Sequence, residues 1–125
     1  MRNKIIMVDD NITNLTVAKN QLVDTYDVFT VPSAKKLFML LEKLTPDLIL
    51  LDIEMPEMNG YETIEILKSN EAFAKIPVIF LTADYTPESE AKGLSMGAVD
   101  YVTKPFTQEV LLKRIQMHLL NKDQE

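Results

Sequence analysis

KIIMVDD, Lys4 to Asp10, is the stretch on which the fold turns. Its apolar residues Ile5 to Val8 form a continuous run, which suits a strand covered on both faces and hence a parallel sheet. The run ends in two adjacent carboxylates, Asp9 and Asp10. One element therefore builds core and delivers two charges to one point.

Working outward, runs of the same kind recur. Strands are expected at Lys4–Val8, Tyr26–Val31, Asp47–Leu51, Val78–Thr82 and Asp100–Thr103, where "LILL" and "VIFL" are as continuous as "IIMV". Segments of helical period lie between them. Leu15, Ala18 and Leu22 share a face of the first helix, and Leu37, Leu40, Leu41 and Leu44 share one on the second, with Ser33 as its N-cap. Asn59 and Glu62 have the spacing of a capping box opening the third, which carries Ile64 and Leu67 inward. Thr86 and Pro87 start the fourth, Gly97 suits its C-terminal cap, and Leu111, Ile115 and Leu119 mark the fifth. Five such βα units predict an α/β fold, a doubly wound five-stranded parallel sheet. Right-handed crossovers then put ligands beyond the carboxyl ends of the strands, where strand order reverses.

A chain of 125 residues is one domain in size and buries about two thirds of its unfolded surface. With 46% hydrophobic and 26% charged residues it has the balance of an ordinary globular protein. No apolar run reaches the roughly 18 residues of a membrane span, and no charged-then-apolar leader opens the chain, so a cytoplasmic protein with no membrane partner is expected. The absence of cysteine excludes disulfides and thiolate metal sites. A net charge of -6, with no Lys/Arg stripe, argues against direct contact with nucleic acid.

Asp52 ends the third strand as Asp9 and Asp10 end the first. If those strands are neighbours, the three carboxylates meet on one rim. At ~4 Å and an effective dielectric near 20, each like-charge pair costs about 4 kcal/mol. Either one acid keeps its proton or a divalent cation binds, and hard oxygen ligands favour Mg2+. The plainer reading, with Asp10 capping the first helix, needs only one acid. Thr82 ends the fourth strand with a hydroxyl and Lys104 the fifth with an ammonium, donors suited to a doubly charged phosphoryl group.

Taken together, "VDD", "LLDIEMPEMNGYE", "FLTAD" and "GAVDYVTKPF" resemble the receiver domain of two-component response regulators, from Lys4 to about Leu120. The resemblance implies a flavodoxin-like (βα)5 sheet of order 2-1-3-4-5, with the domain over 1–121 and residues 122–125 as a tail or the start of a linker. It implies Asp52 as phospho-acceptor, with Mg2+ held by Asp9, Asp10, Asp52 and the backbone carbonyl of Glu54. Thr82 and Lys104 would bind phosphoryl oxygens, Pro105 would orient the lysine through a cis or trans bond, and Thr82 with Tyr101 would form the switch. The implied donor is a sensor histidine kinase or phosphotransfer protein. The readout would be the face made by the fourth helix, fifth strand and fifth helix, including Ala91, Lys92, Tyr101 and Lys113. Such a chain is a regulatory phospho-acceptor, catalysing only its own phosphorylation and dephosphorylation. It would act on an output domain or downstream protein, with a homodimer through that same face as an option.

Some residues have other readings. Glu54 and Asp84, two residues past Asp52 and Thr82, would flank an attacking water and tune the lifetime of the phosphate. "MPEMNG" reads as a turn set by Pro56 and Gly60, His118 as a half-exposed packing residue, and the seven methionines as core filler in the main. Tyr101, by itself, reads nearly as well as a packing residue. Three other functions compete. A small Mg2+-dependent phosphatase of the haloacid dehalogenase type wants an aspartate where Glu54 stands and has no room here for a cap domain. A flavodoxin-like electron carrier wants a Ser/Thr/Gly-rich loop where "DDNITN" is acidic. A receiver-like interaction module that is never phosphorylated would have lost an acid or the lysine, and all are kept.

Overall fold

The computed structural model describes residues 2–123. Among them, β1 (Lys4–Val8), β2 (Asp27–Val31), β3 (Leu48–Leu51), β4 (Val78–Thr82) and β5 (Asp100–Thr103) alternate with α1 (Ile12–Leu22), α2 (Ala34–Leu41), α3 (Gly60–Ser69), α4 (Pro87–Ser95) and α5 (Gln108–Asp123). The strands pair in parallel in the order β2-β1-β3-β4-β5, the doubly wound α/β sheet expected. Order reverses between β1 and β3, whose register pairs Val8 with Leu51. Asp9 and Asp52 are the next residue of each strand, so the reversal brings them side by side. No helix of the described residues is long and apolar enough to cross a membrane.

The alternation of side chains along each strand divides the core into two clusters. Ile6, Val8, Ile49, Leu51 and Phe80 face α2 and α3, where Leu37, Leu41, Ile64 and Leu67 meet them. Ile5, Met7, Leu48, Leu50 and Leu81 face α1 and α5, where Leu15, Ala18, Leu22, Leu111, Ile115 and Leu119 cover them. Burial on both faces is why these strands read as unbroken apolar runs. Helix α4 is the exception. It buries only Gly93, which rests against the Phe80 ring, so little apolar surface anchors it.

The caps follow local sequence. Ser33, Asn59 and Thr86 each accept from the backbone N–H three residues on, and Asn59 with Glu62 completes the capping box. Gly97, at φ +109°, ends α4 in a conformation that costs a side chain strain.

Local expectation fails at several points, each for a visible reason. Asn11, not Asp10, caps α1, because its side chain accepts from Asn14 N–H while Asp10 stays exposed. Strand β3 starts at Leu48, since the Asp47 carboxylate takes the Lys4 N–H that a longer ladder would use. Strand β2 likewise starts at Asp27, leaving Tyr26 as a buried residue before it. Leu44 lies beyond the end of α2 and, like Leu40, only half-buries against the core. The turn after Met55 is made by Pro56 and by Glu57 at φ +70°, while Gly60 opens α3. Of the described methionines only Met7 and Met55 are core, since Met39 and Met117 lie on the solvent faces of α2 and α5. Helix α5 runs through residues 122 and 123, while 124 and 125 of the expected tail lie outside the described residues.

Candidate functional site

Backbone pairing sets the site. Asp52 N–H donates to Val8 C=O at 2.9 Å and Asp9 N–H to Val31 C=O at 3.2 Å, so both acids stand at fixed heights on the sheet rim. Asp9 is fully buried, Asp52 is 6% exposed, and Asp10 is open to solvent. One carboxylate oxygen from each lies within 4.8 Å of the others.

Compensation for that crowding comes from across the sheet. Lys104 Nζ reaches Asp9 Oδ2 at 2.6 Å and stands 3.6 Å from Asp52 Oδ1. Its backbone N–H donates to Thr82 C=O, and the Lys104–Pro105 bond is cis. One ammonium does not balance three carboxylates. Burial first, then the Asp9 charge, push the Asp52 carboxyl up to about 6, with Asp10 adding to this and Lys104 and the Ile53 N–H opposing. At neutral pH Asp52 is still mainly ionised, an anion held where water screens it poorly. Three acids of this spacing could hold a hard divalent cation.

Thr82 is buried, and its Oγ1 accepts from Asp84 N–H at 3.2 Å. The Asp84 carbonyl in turn accepts from Tyr101 Oη at 2.6 Å. The backbone of one residue, Asp84, therefore touches both residues expected to form the switch. Tyr101 is 6% exposed and packs edge-on against Phe80 and Tyr85. Burial, with Tyr61 nearby, pushes its hydroxyl up to about 12, so it is a donor throughout the physiological range. Tyr61 hydroxyl donates to Ser89 C=O, and Lys92 Nζ lies 4.2 Å above its ring, which ties α3 to α4. Glu54 and Asp84 are exposed and line an open groove of about 530 Å³ beside the rim, with Tyr61 and Ser89. Ala91 and Lys113 are exposed on α4 and α5.

His118 departs from the packing role expected of it. Its side chain is 12% exposed, and Nε2 lies 2.9 Å from Asp100 Oδ2, beside a two-pronged bond from Arg114 to the same carboxylate. Burial pushes the Asp100 carboxyl up, but the bonds from His118, Tyr101 N–H and Arg114 outweigh it and hold it below its ordinary value. The cluster joins the start of β5 to α5, at the end of the strand away from the rim. Two residues at the rim itself escaped sequence reasoning. Asn14 Nδ2 donates to Asp9 Oδ2, and Gly60 N–H donates to Ile53 C=O directly behind Asp52. Asn14 carries a faint sequence signal, one helical turn after the acids, whereas Gly60 reads as an ordinary turn residue.

A doubly wound α/β sheet with a lysine-bridged carboxylate cluster at its point of strand reversal defines a class: domains with a candidate cation site where such sheets take their ligands. Comparison with known proteins makes the class specific. The profile of the response regulator receiver domain matches residues 5–116, and the chain belongs to that family. It is 34% identical to Protein PilG of Pseudomonas aeruginosa, covering 93% of this chain and 87% of PilG. It is 43% identical to a probable cyclic di-GMP phosphodiesterase of Vibrio cholerae over 94% of this chain, but spans only 27% of that protein. It also spans 55% of the probable transcriptional regulator ycf29 of Pyropia yezoensis. Among solved structures, chemotaxis protein CheY4 of Vibrio cholerae superposes with a TM-score of 0.88 at 30% identity, over 94% of this chain and 98% of that one. The chain is thus a receiver domain of two-component signalling, a family whose members are generally regulatory and work with histidine kinases or phosphotransfer proteins. That assignment leaves the phosphatase reading without support.

Proposed function

We propose that this receiver is a phosphorylation switch in which Asp52 accepts a phosphoryl group from a phosphohistidine on a sensor kinase or phosphotransfer protein. In the transfer an Asp52 carboxylate oxygen forms the new P–O bond as the P–N bond breaks, its electron pair leaving with the imidazole. Asp9, Asp10, Asp52 and the Glu54 carbonyl would hold Mg2+, which when bound supplies charge stabilisation to the phosphoryl oxygens. Lys104, 3.6 Å from Asp52 and already inside the site, pairs with a second oxygen, and the Thr82 hydroxyl donates to a third. Pro105 keeps the lysine aimed inward.

The observation that carries this reading is the buried Asp52 carboxyl, raised to about 6 among two further acids and one lysine. A carboxylate so crowded gains from a cation and from a group that draws Lys104 toward itself. Switching follows from the Asp84 backbone that both residues touch. When Thr82 turns to the phosphoryl group, its bond to Asp84 N–H is lost, and Tyr101 on the carbonyl of the same residue feels the change. The weakly anchored α4, with β5 and α5, is the surface that reports it. An output domain, a downstream protein or a second copy would read that surface in the cytoplasm, with residues 1–121 as the domain and 122–125 as a tail or the start of a linker.

Intact-mass spectrometry after incubation with acetyl phosphate tests the chemistry. One phosphoryl adduct is expected on the wild type with Mg2+, none with EDTA, and none on Asp52→Asn. A wild type left unlabelled by both acetyl phosphate and phosphoramidate would point to an interaction module that is never phosphorylated. Glu54 and Asp84 set the lifetime of the adduct in this reading. Timing its loss in Glu54→Ala and Asp84→Ala checks that, and an unchanged rate in both removes them from the role.

A further inference from the structure

We infer that Asn14 is a positioning residue for the Asp9 carboxylate, an inference that rests on reading Asp9, Asp10 and Asp52 as a divalent-cation site. Asn14 lies in the first turn of α1, and its Nδ2 donates to Asp9 Oδ2 at 3.2 Å. The start of the same helix supplies the Asn11 N–H to Asp9 Oδ1 at 2.9 Å. One helical turn therefore grips both oxygens of the buried acid. The remaining donor, Lys104 Nζ at 2.6 Å, comes from the far side of the sheet.

These donors have different fates. The proposed transfer draws Lys104 toward a phosphoryl oxygen, and Oδ2 then loses its ammonium. Asn14 is the side chain left on that oxygen among the described residues. An amide suits the task. It is neutral, so it does not repel a divalent cation as a second lysine would, and it occupies one lone pair while leaving another for the metal. Its own backbone N–H is held by Asn11 Oδ1 at 3.1 Å, so the helix cap fixes the base from which the amide reaches. Nothing needs to move when the lysine leaves.

Calorimetric titration of Mg2+ into the full chain, freed of metal beforehand, tests the inference. Asn14→Leu and Asn14→Ala both remove the donor, so one folded variant of the two suffices. Asn14→Gln keeps it, and Thr16→Ala on the same helix, whose hydroxyl bonds only Ile12 C=O among the described groups, is the control. The donorless variants should bind Mg2+ about tenfold more weakly, with Asn14→Gln recovering most of the loss and Thr16→Ala unchanged. Acetyl phosphate labelling should need correspondingly more Mg2+ for half-maximal rate, while the rate at saturating Mg2+ stays within about twofold of wild type. A purely structural role would lower the melting temperature in EDTA without shifting the Mg2+ midpoint. Affinity within about twofold of wild type in a folded donorless variant overturns the inference, as does an equal loss in Asn14→Gln. A wild type that takes up no Mg2+ overturns both it and the cation-site reading beneath it.

Discussion

Asp52→Asn should stabilise the metal-free protein at pH 7.5 by about 3 kcal/mol, and the gain should vanish toward pH 4. A carboxyl held at about 6 against its ordinary 3.8 is an ion the fold disfavours, and each unit of that difference is worth about 1.4 kcal/mol. The sign follows from proton linkage. The folded state keeps a proton on Asp52 that the unfolded chain has released, so this group's cost is fully present above pH 6 and absent below about 3.8. Wild-type stability from this source therefore rises as pH falls through that window. Asparagine, with nothing to titrate, does not follow. Lys104 is not stranded by the change, because Asp9 at 2.6 Å is its nearer partner. Urea melts in EDTA at pH 7.5, 6, 5 and 4 read the difference directly. Saturating Mg2+ should reverse the order, since the wild type keeps the third carboxylate and gains more from binding. A difference that does not change with pH would refute the account.

Gly60→Ala should cost about 3 kcal/mol and impair labelling of Asp52, although residue 60 has no side chain to contribute to chemistry. A Cβ there would lie 2.5 Å from the Asp52 carbonyl oxygen and 2.8 Å from Ile53 Cα. Both obstacles are main chain, so neither can rotate away, and relief requires α3 to lift from the strand end that carries the nucleophile. The Gly60 N–H bond to Ile53 C=O at 2.8 Å would stretch as it lifts. Gly97→Ala is the matched comparison. It meets backbone strain at φ +109°, but its new neighbour is the flexible Lys68 side chain, far from Asp52. It should lose less stability, about 1–2 kcal/mol, and keep its labelling rate. Urea melts and labelling rates at a temperature where all three proteins are folded decide this. Equal labelling in Gly60→Ala and wild type would show that the close approach behind Asp52 has no bearing on the site.

Much of the molecule was legible in the sequence because it is local. "IIMV", "LILL" and "VIFL" announce strands buried on both faces, and Ser33, Asn59 and Thr86 announce helix starts, since a cap involves residues only three apart. The acids were legible for a related reason. Thr82 ends a strand and Asp9, Asp10, Asp52 and Lys104 follow directly on strand ends, and a parallel sheet sends every strand end to one rim.

What the sequence determined alone is therefore the set of groups at the rim and the elements that carry them. Which group touches which was decided by tertiary structure. Lys104 bonds Asp9 across 95 residues of chain, and His118 with Arg114 closes on Asp100 instead of merely packing. Asp84, whose side chain drew notice in the sequence, matters for its main chain, which joins Thr82 to Tyr101. Every residue has such a backbone, so no sequence pattern marks this one. The raised Asp52 carboxyl is likewise a property of enclosure and of neighbours summed in space, beyond the reach of any window along the chain.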